Sequence, residues 1–322
     1  MMSRFVSFRQ FIGSKNGRLV FLAAGLFGIP FTFPNTFFFD IAIKVFISGI
    51  ICVGLNTLSG YAGQISLGHA GFFALGGYGT AILSIRLGIH PFASALISAA
   101  VVSGATYFIA RPILRLRGHY LAMATLGLGM IVSIVLNREI WLTAGPDGLT
   151  VPAVRIGDIR LRSVEFWYWV VAIFLLISVW LAENLFDSPA GRALRAIHSS
   201  ELAAETSGVD VSDLKTLAFT FSALLASIAG SLFVMAERFI TPADAGFGRS
   251  VDYITMIVFG GLGSTYGALL GAAVLTVLPQ VIAPIAEYTH IVTGIVLILT
   301  MIFMPKGLGP SLYRLISKRD GR

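Results

Sequence analysis

Residues 40–58 read DIAIKVFISGIICVGLNTL, 19 positions of which only Asp40 and Lys44 carry a charge. An α-helix rises 1.5 Å per residue, so about 20 residues cross the roughly 30 Å of bilayer hydrocarbon. The stretch is long and apolar enough to do so. Working outward with the same window gives further apolar segments at 18–36, 66–87, 92–110, 119–138, 164–183, 215–236, 251–263, 265–284 and 288–304. The whole chain agrees: 322 residues, 56% hydrophobic and 12% charged, with a mean hydropathy of +0.85. Soluble domains carry about a quarter charged residues, and a water-soluble enzyme of this size could not cover its surface with half that. The chain is also too apolar for disorder. The expected fold is all-α: a polytopic integral membrane protein of about ten transmembrane or re-entrant helices.

Two segments do not read as simple spans. Residues 60–79 contain seven glycines, and 251–263 is short and ends in Gly260-Gly261-Leu262-Gly263. One interrupted segment in each half hints at an internal repeat, a common transporter architecture.

The net charge of +7 fits a protein lying against an anionic leaflet, so membrane lipid and not nucleic acid is the expected contact. With ten crossings, 15 Lys and Arg residues fall on the side of both termini and 7 on the other, Lys44 lying within a span. The positive-inside bias then puts both termini and residues 184–214 in the cytoplasm. The expected organisation is a cytoplasmic tail over 1–17, a transmembrane domain over 18–305 that includes loop 184–214, and a cytoplasmic tail over 306–322. No small-residue cleavage site follows the basic N-terminus, which argues against a removable signal. Residues 139–163, on the outer side, read as an ordered lid or short helix.

Cys52, the single cysteine, supports neither a disulfide framework nor a thiolate metal site. The chain has no Gly-x-x-x-x-Gly-Lys-Ser/Thr, no His-Glu-x-x-His and no Gly-x-Ser-x-Gly. No catalytic residue, metal or cofactor is therefore expected, and without a P-loop the chain cannot hydrolyse ATP by that route.

The inner loop is the most informative segment. Ser188-Pro189 is a helix start, a side-chain cap followed by proline in the first turn. Ala190, Ala193, Leu194 and Ile197 recur at helical spacing. Ser200 can cap a second short helix, and Gly208 can end it in the left-handed region. Such a pair of helices fits either a partner's groove or the membrane interface.

This loop, with Lys215-Thr216-Leu217-Ala218-Phe219 and Ser222-Ala223 after it, resembles the cytoplasmic coupling segment of ABC importer permeases. The likeness is to branched-chain amino acid ABC transporter permeases of the LivM type. Residues 54–73, from Gly54-Leu55-Asn56-Thr57 through Gly63-Gln64-Ile65-Ser66-Leu67-Gly68-His69 to Phe73, are similar to that family's first signature. Arg117-Gly118, Tyr120-Leu121-Ala122, Thr125-Leu126, Gly145 with Gly148, Pro242 with Phe247, and Gly260-Gly261-Leu262-Gly263-Ser264 with Gly267 and Gly271 follow in the family's order. The matches cover residues 40–305. The chain departs at His198-Ser199-Ser200, where the family usually has a charged or amide-bearing tripeptide, and at His119.

The resemblance implies a permease subunit of an ATP-driven importer of branched-chain or other small apolar amino acids in a bacterial inner membrane. Its partners would be a second related permease subunit, two cytoplasmic ATP-binding subunits and an external substrate-binding protein. Gly191, Arg192, Ala193, Arg195, Ala196, Glu201, Ala203, Ala204 and Gly208 would then meet the ATPase. Relatives that carry urea or short amides, and an ion-coupled secondary transporter, are the alternative readings. The last would require intramembrane carboxylates, whereas Asp40, Asp252 and Glu287 all sit near span ends.

Glycines that break a membrane helix free backbone groups, which protein or a water-filled cavity must satisfy. Gln64, Ser66, Gly68, His69 and Gly71 are on that ground the candidate substrate-pathway residues, with close helix packing as the plainer alternative. Gly263, Gly267 and Gly271 read as one packing face of a helix. Asp40 and Lys44, four apart, read as an ion pair near a span end.

Overall fold

The computed structural model describes residues 15–32, 35–116, 118–156, 159–161 and 163–282, together with 294, 298, 302 and 307–309. Among the described residues nine longer helices follow the first nine apolar segments in order. They are α1 (Lys15–Thr32), α2 (Thr36–Asn56), α3 (His69–Arg86), α4 (Pro91–Ile113), α5 (His119–Arg138), α7 (Val164–Asp187), α10 (Val211–Glu237), α11 (Phe247–Gly260) and α12 (Thr265–Ile282). Shorter helices lie between them: α6 (Ile140–Thr143), α8 (Pro189–Ser199) and α9 (Glu201–Thr206). The expected tenth segment, 288–304, falls almost entirely outside the described residues.

Among the described residues five helices are long and apolar enough to cross a membrane: Thr36–Tyr61, Pro91–Ile113, His119–Arg138, Val164–Asp187 and Val211–Glu237. Fewer qualify than the ten segments expected, for local reasons. Seven glycines dilute the region around α3, and α11, with 14 residues, is about 21 Å long.

The helices alternate in direction, and contacts at the two ends show it. At one end, here the loop end, Arg18 of α1 pairs with Glu183 of α7 at 3.4 Å, and Arg111 of α4 pairs with Asp213 of α10 at 3.2 Å. At the opposite, cap end, the Arg86 guanidinium bonds the Trp141 carbonyl and lies over its ring, and Lys44 pairs with Glu237 at 3.5 Å. Residues 139–163 contain the short helix α6 and the two-residue strands β1 (Leu149–Thr150), β2 (Arg155–Ile156) and β3 (Ile159–Arg160). β1 pairs antiparallel with β4 (Phe239–Ile240), and β2 with β3, tying the cap to the end of α10. Residues 307–309 lie against Gly260, Gly261 and Gly267, so they sit at the same end as the start of α1.

α10 is the central element. It buries residues along its length, from Val211 to Met235, and packs on α2, α3 and α4. Its crossing with α3 is close because small residues meet there. A Cβ on Gly230 would collide with the Phe73 carbonyl, and one on Gly76 with the Ser227 carbonyl. Hydroxyls fill the seam: Thr80 Oγ1 donates to Ser231 Oγ at 2.9 Å, and Ser98 Oγ to the Gly76 carbonyl at 3.1 Å. Small residues and hydroxyls of this kind are what hold helices together where lipid removes the hydrophobic drive. The outer faces of α4 and α5 are the reverse, with Leu96, Val101, Phe108, Tyr120, Met123 and Ile131 exposed.

On the other side of the bundle α7 packs on α2, and the Tyr168 hydroxyl donates to the Leu26 carbonyl of α1 at 2.5 Å. Cys52 is wholly buried, its Sγ 3.8 Å from Met256 Sδ. Asp40 and Lys44 form the expected pair at 3.5 Å. The α11–α12 packing corrects one detail of the sequence pattern. Gly267 and Gly271 do face Gly260, but Gly263 lies before the helix, at φ +77° in the turn.

Gly230→Ala is expected to lower the thermal midpoint of the purified protein by an amount equivalent to about 1–3 kcal/mol, the cost of overpacking. Gly104→Ala, where an added Cβ meets nothing within 4 Å, is expected to leave it unchanged or slightly higher. Differential scanning fluorimetry in one detergent compares the two.

Candidate functional site

At the loop end α2 does not stop cleanly. It passes into one π-helical stretch, Thr57–Tyr61, and residues 62–68 are then non-helical before α3 begins at His69. This is the interruption that the glycines announce. Freed backbone groups in the break are met by side chains from neighbouring helices. The Leu67 amide donates to Thr125 Oγ1 of α5 at 3.1 Å, and the Ala70 amide to Ser250 Oγ of α11 at 3.1 Å. Ser59 Oγ donates to the Gln64 carbonyl at 2.9 Å. An added Cβ on Gly68 would strike the Thr125 carbonyl, so close approach rather than torsion requires glycine there. Gly71 stands against Gly129, where an added Cβ would lie 3.3 Å from its Cα.

His69 is completely buried. Its Nδ1 lies 2.9 Å from Ser66 Oγ and its Nε2 2.6 Å from Ser222 Oγ of α10. A neutral imidazole donates at one nitrogen and accepts at the other, so the ring bolts the break to the central helix. Gln64, Ser66 and His69 are thus all buried with protein partners. The structure gathers them, with Gly68 and Gly71, at the α2–α3 junction.

The loop after α7 folds as its pattern predicts. Ser188 Oγ accepts from the Gly191 amide at 3.2 Å, Pro189 fills the first turn, and Leu194 and Ile197 are buried. Ser200 Oγ accepts from the Ala203 amide at 3.3 Å to start α9, and Gly208 takes φ +82° just beyond its end. The candidate contact residues divide by orientation. Arg192, Arg195, Ala196, Ala203 and Gly208 are exposed, as is Leu202; Ala193 and Glu201 are half-buried. Gly191 and Ala204 are buried, and a Cβ on Gly191 would collide with the Leu185 carbonyl. These two fit α8 and α9 to the bundle, whereas the exposed group faces away from it.

Break and loop are joined. Lys215, on the second turn of α10 and nearly inaccessible, donates to Glu201 Oε1 at 2.5 Å. Gln64 Nε2 donates to the same oxygen at 3.4 Å and to the Ala62 carbonyl at 2.9 Å. One carboxylate of α9 therefore touches both α10 and the break. Around it, the ring of Tyr61 stacks on Phe186 with centroids 3.6 Å apart, and an added Cβ on Gly63 would lie 3.3 Å from His198 Cγ. The Asn56 amide oxygen accepts from the Gly263 amide at 2.9 Å, so the second glycine-rich turn meets the same region.

The structural part of Lys215 was missed by pattern reading, although a signal was present. A lysine in a helix long and apolar enough to cross a membrane must either snorkel or find a buried carboxylate, and Glu201 is the acidic residue 14 positions before it.

The chain matches the family described as "Branched-chain amino acid transport system / permease component" over residues 37–303. It is similar to the high-affinity branched-chain amino acid transport system permease protein LivM of Salmonella typhimurium, at 32% identity over 84% of this chain and 69% of that protein. The protein of the same name from Escherichia coli K12 is 31% identical over the same shares. BraD of Pseudomonas aeruginosa, also a high-affinity branched-chain amino acid transport system permease protein, is 28% identical over 80% of this chain and 90% of its own length.

Lys215→Met alone strands the Glu201 carboxylate and is expected to cost more stability than Lys215→Met combined with Glu201→Leu. A double-mutant cycle on denaturation midpoints should return a coupling of about 1–3 kcal/mol; additive effects would show that the pair is only superficial.

Proposed function

Since the chain belongs to the branched-chain amino acid transport system permease family, we propose that it is the membrane subunit through which an ATP-driven importer passes aliphatic amino acids inward. It would work with a second related permease chain, two ATP-binding subunits that dock at the loop end, and an external binding protein that delivers substrate to the cap end. In this reading the loop end is cytoplasmic, in line with the excess of Lys and Arg there. Both tails, 1–17 and 306–322, then lie in the cytoplasm and 18–305 forms the permease domain. ATP hydrolysis belongs to the partner subunits.

The observation that carries the reading is the shared Glu201 carboxylate. A push on α8 and α9 cannot be absorbed locally, because α9 is fastened both to the central helix and to the break between α2 and α3. Arg192, Arg195, Ala196, Ala203 and Gly208 present the outward surface for the motor, with Leu202 as an apolar contact and the arginines offering charge complementarity. Glu201, Gly191 and Ala204 act behind that surface by fixing it to the bundle. Gln64, Ser66, Gly68, His69 and Gly71 form the hinge where motion enters the membrane segment, bordering the pathway at its inner end. The equilibrium between inward- and outward-open bundles is then biased by nucleotide in the motor.

Two measurements test this. Proteoliposomes holding the complete importer should accumulate leucine only with ATP inside the motor compartment; accumulation by this chain alone without nucleotide would refute the proposal. Ala203→Trp, at an exposed position, is expected to reduce transport at least tenfold while leaving the permease folded, as judged by its thermal midpoint.

A further inference from the structure

At the cap end α2, α3, α10, α11 and α12 surround a cavity of about 470 Å³, within the range of small-molecule sites. Four charged residues line it: Lys44, Glu237, Arg249 and Asp252. Two are positive and two negative, so the lining sums to zero. Lys44 Nζ stands 3.5 Å from Glu237 Oε1 and 3.5 Å from Asp40 Oδ2. Arg249 Nη2 stands 3.3 Å from Asp244 Oδ1, and its half-exposed guanidinium has further donors in its five-donor fork. Asp244 is itself fixed by the Thr241 amide at 3.0 Å and hydroxyl at 3.2 Å, which makes the Arg249 anchor rigid.

Deeper in, the lining changes character. Ile47, Phe73, Phe233, Met256 and Leu275 supply an apolar floor, with Arg249 and Met256 separated by about 10 Å along α11. The hydroxyl of Thr276, also in the lining, is buried and has no hydrogen-bond partner among the described residues. A buried hydroxyl left unpaired is costly, and a polar ligand atom would relieve it.

A balanced charged rim over an apolar floor matches a molecule that bears both charges at one end and a hydrocarbon branch at the other. We propose that this cavity is the site where the permease receives a zwitterionic aliphatic α-amino acid. The carboxylate faces Arg249 and Lys44, the ammonium faces Glu237 and Asp252, and the side chain rests on Phe73, Phe233 and Met256. This assignment rests on the importer reading above and sharpens it.

The test uses the complete importer with its binding protein in proteoliposomes, with leucine and alanine uptake measured side by side. Arg249→Gln and Glu237→Gln are expected to reduce leucine uptake at least tenfold, with Arg249→Lys retaining half or more. Met256→Trp, which fills the floor, should lower the leucine-to-alanine rate ratio at least fivefold, a change that a purely structural role would not produce. Wild-type importer that carries no aliphatic amino acid overturns the functional reading and this one with it. Wild-type transport that Arg249→Gln, Glu237→Gln and Met256→Trp leave unaltered in rate and ratio overturns the cavity assignment alone.

Discussion

A backbone that leaves its helix inside a membrane bundle must find every hydrogen bond again within the protein, and residues 62–68 set that requirement here. Unsatisfied amides in hydrocarbon cost several kcal/mol each. The answer is spread over the bundle: Thr125 from α5, Ser250 from α11 and, through His69, Ser222 from α10. Each contact fixes one neighbour's rotation and height against the break. The packing of α3, α5, α10 and α11 around the break is therefore constrained by one short irregular segment.

The same economy governs the centre. α10 crosses α3 at glycine and hydroxyl positions and packs on α2 and α4 besides, so its path through the bundle is set by shape and not by greasiness. Its first turns hold the Lys215–Glu201 pair and its last holds Glu237 against Lys44. A single 27-residue helix thus connects the surface proposed for the motor with the cavity proposed for the substrate.

Much of this was legible in the sequence, and the limits are physical. Span positions follow from long apolar runs, and the caps at Ser188, Ser200 and Gly208 are written in local residue chemistry, so α8 and α9 form where the pattern puts them. The glycines of 60–79 announced an interruption but not its partners, because Thr125, Ser222 and Ser250 are distant in sequence and nothing local marks a hydroxyl as facing a break. For the same reason the protein partners of Gln64 and His69, polar residues in an apolar run, could not be read from their neighbours in sequence. Gly263 shared a four-residue spacing with Gly267 and Gly271 yet lies in a turn, since periodicity does not mark where a helix begins. The charged cavity was least legible of all: Lys44, Glu237, Arg249 and Asp252 come from three helices, and only tertiary packing brings them to one lining.

Cys52 has a practical consequence. The chain carries one sulfhydryl, and the bundle closes over it completely, next to Met256. Water-soluble maleimide and spin-label reagents have no route to it in the folded state. A cysteine placed on α8, on the cap or on the outer face of α5 would then be the sole reactive handle, and distance spectroscopy could follow this subunit without first removing its native thiol.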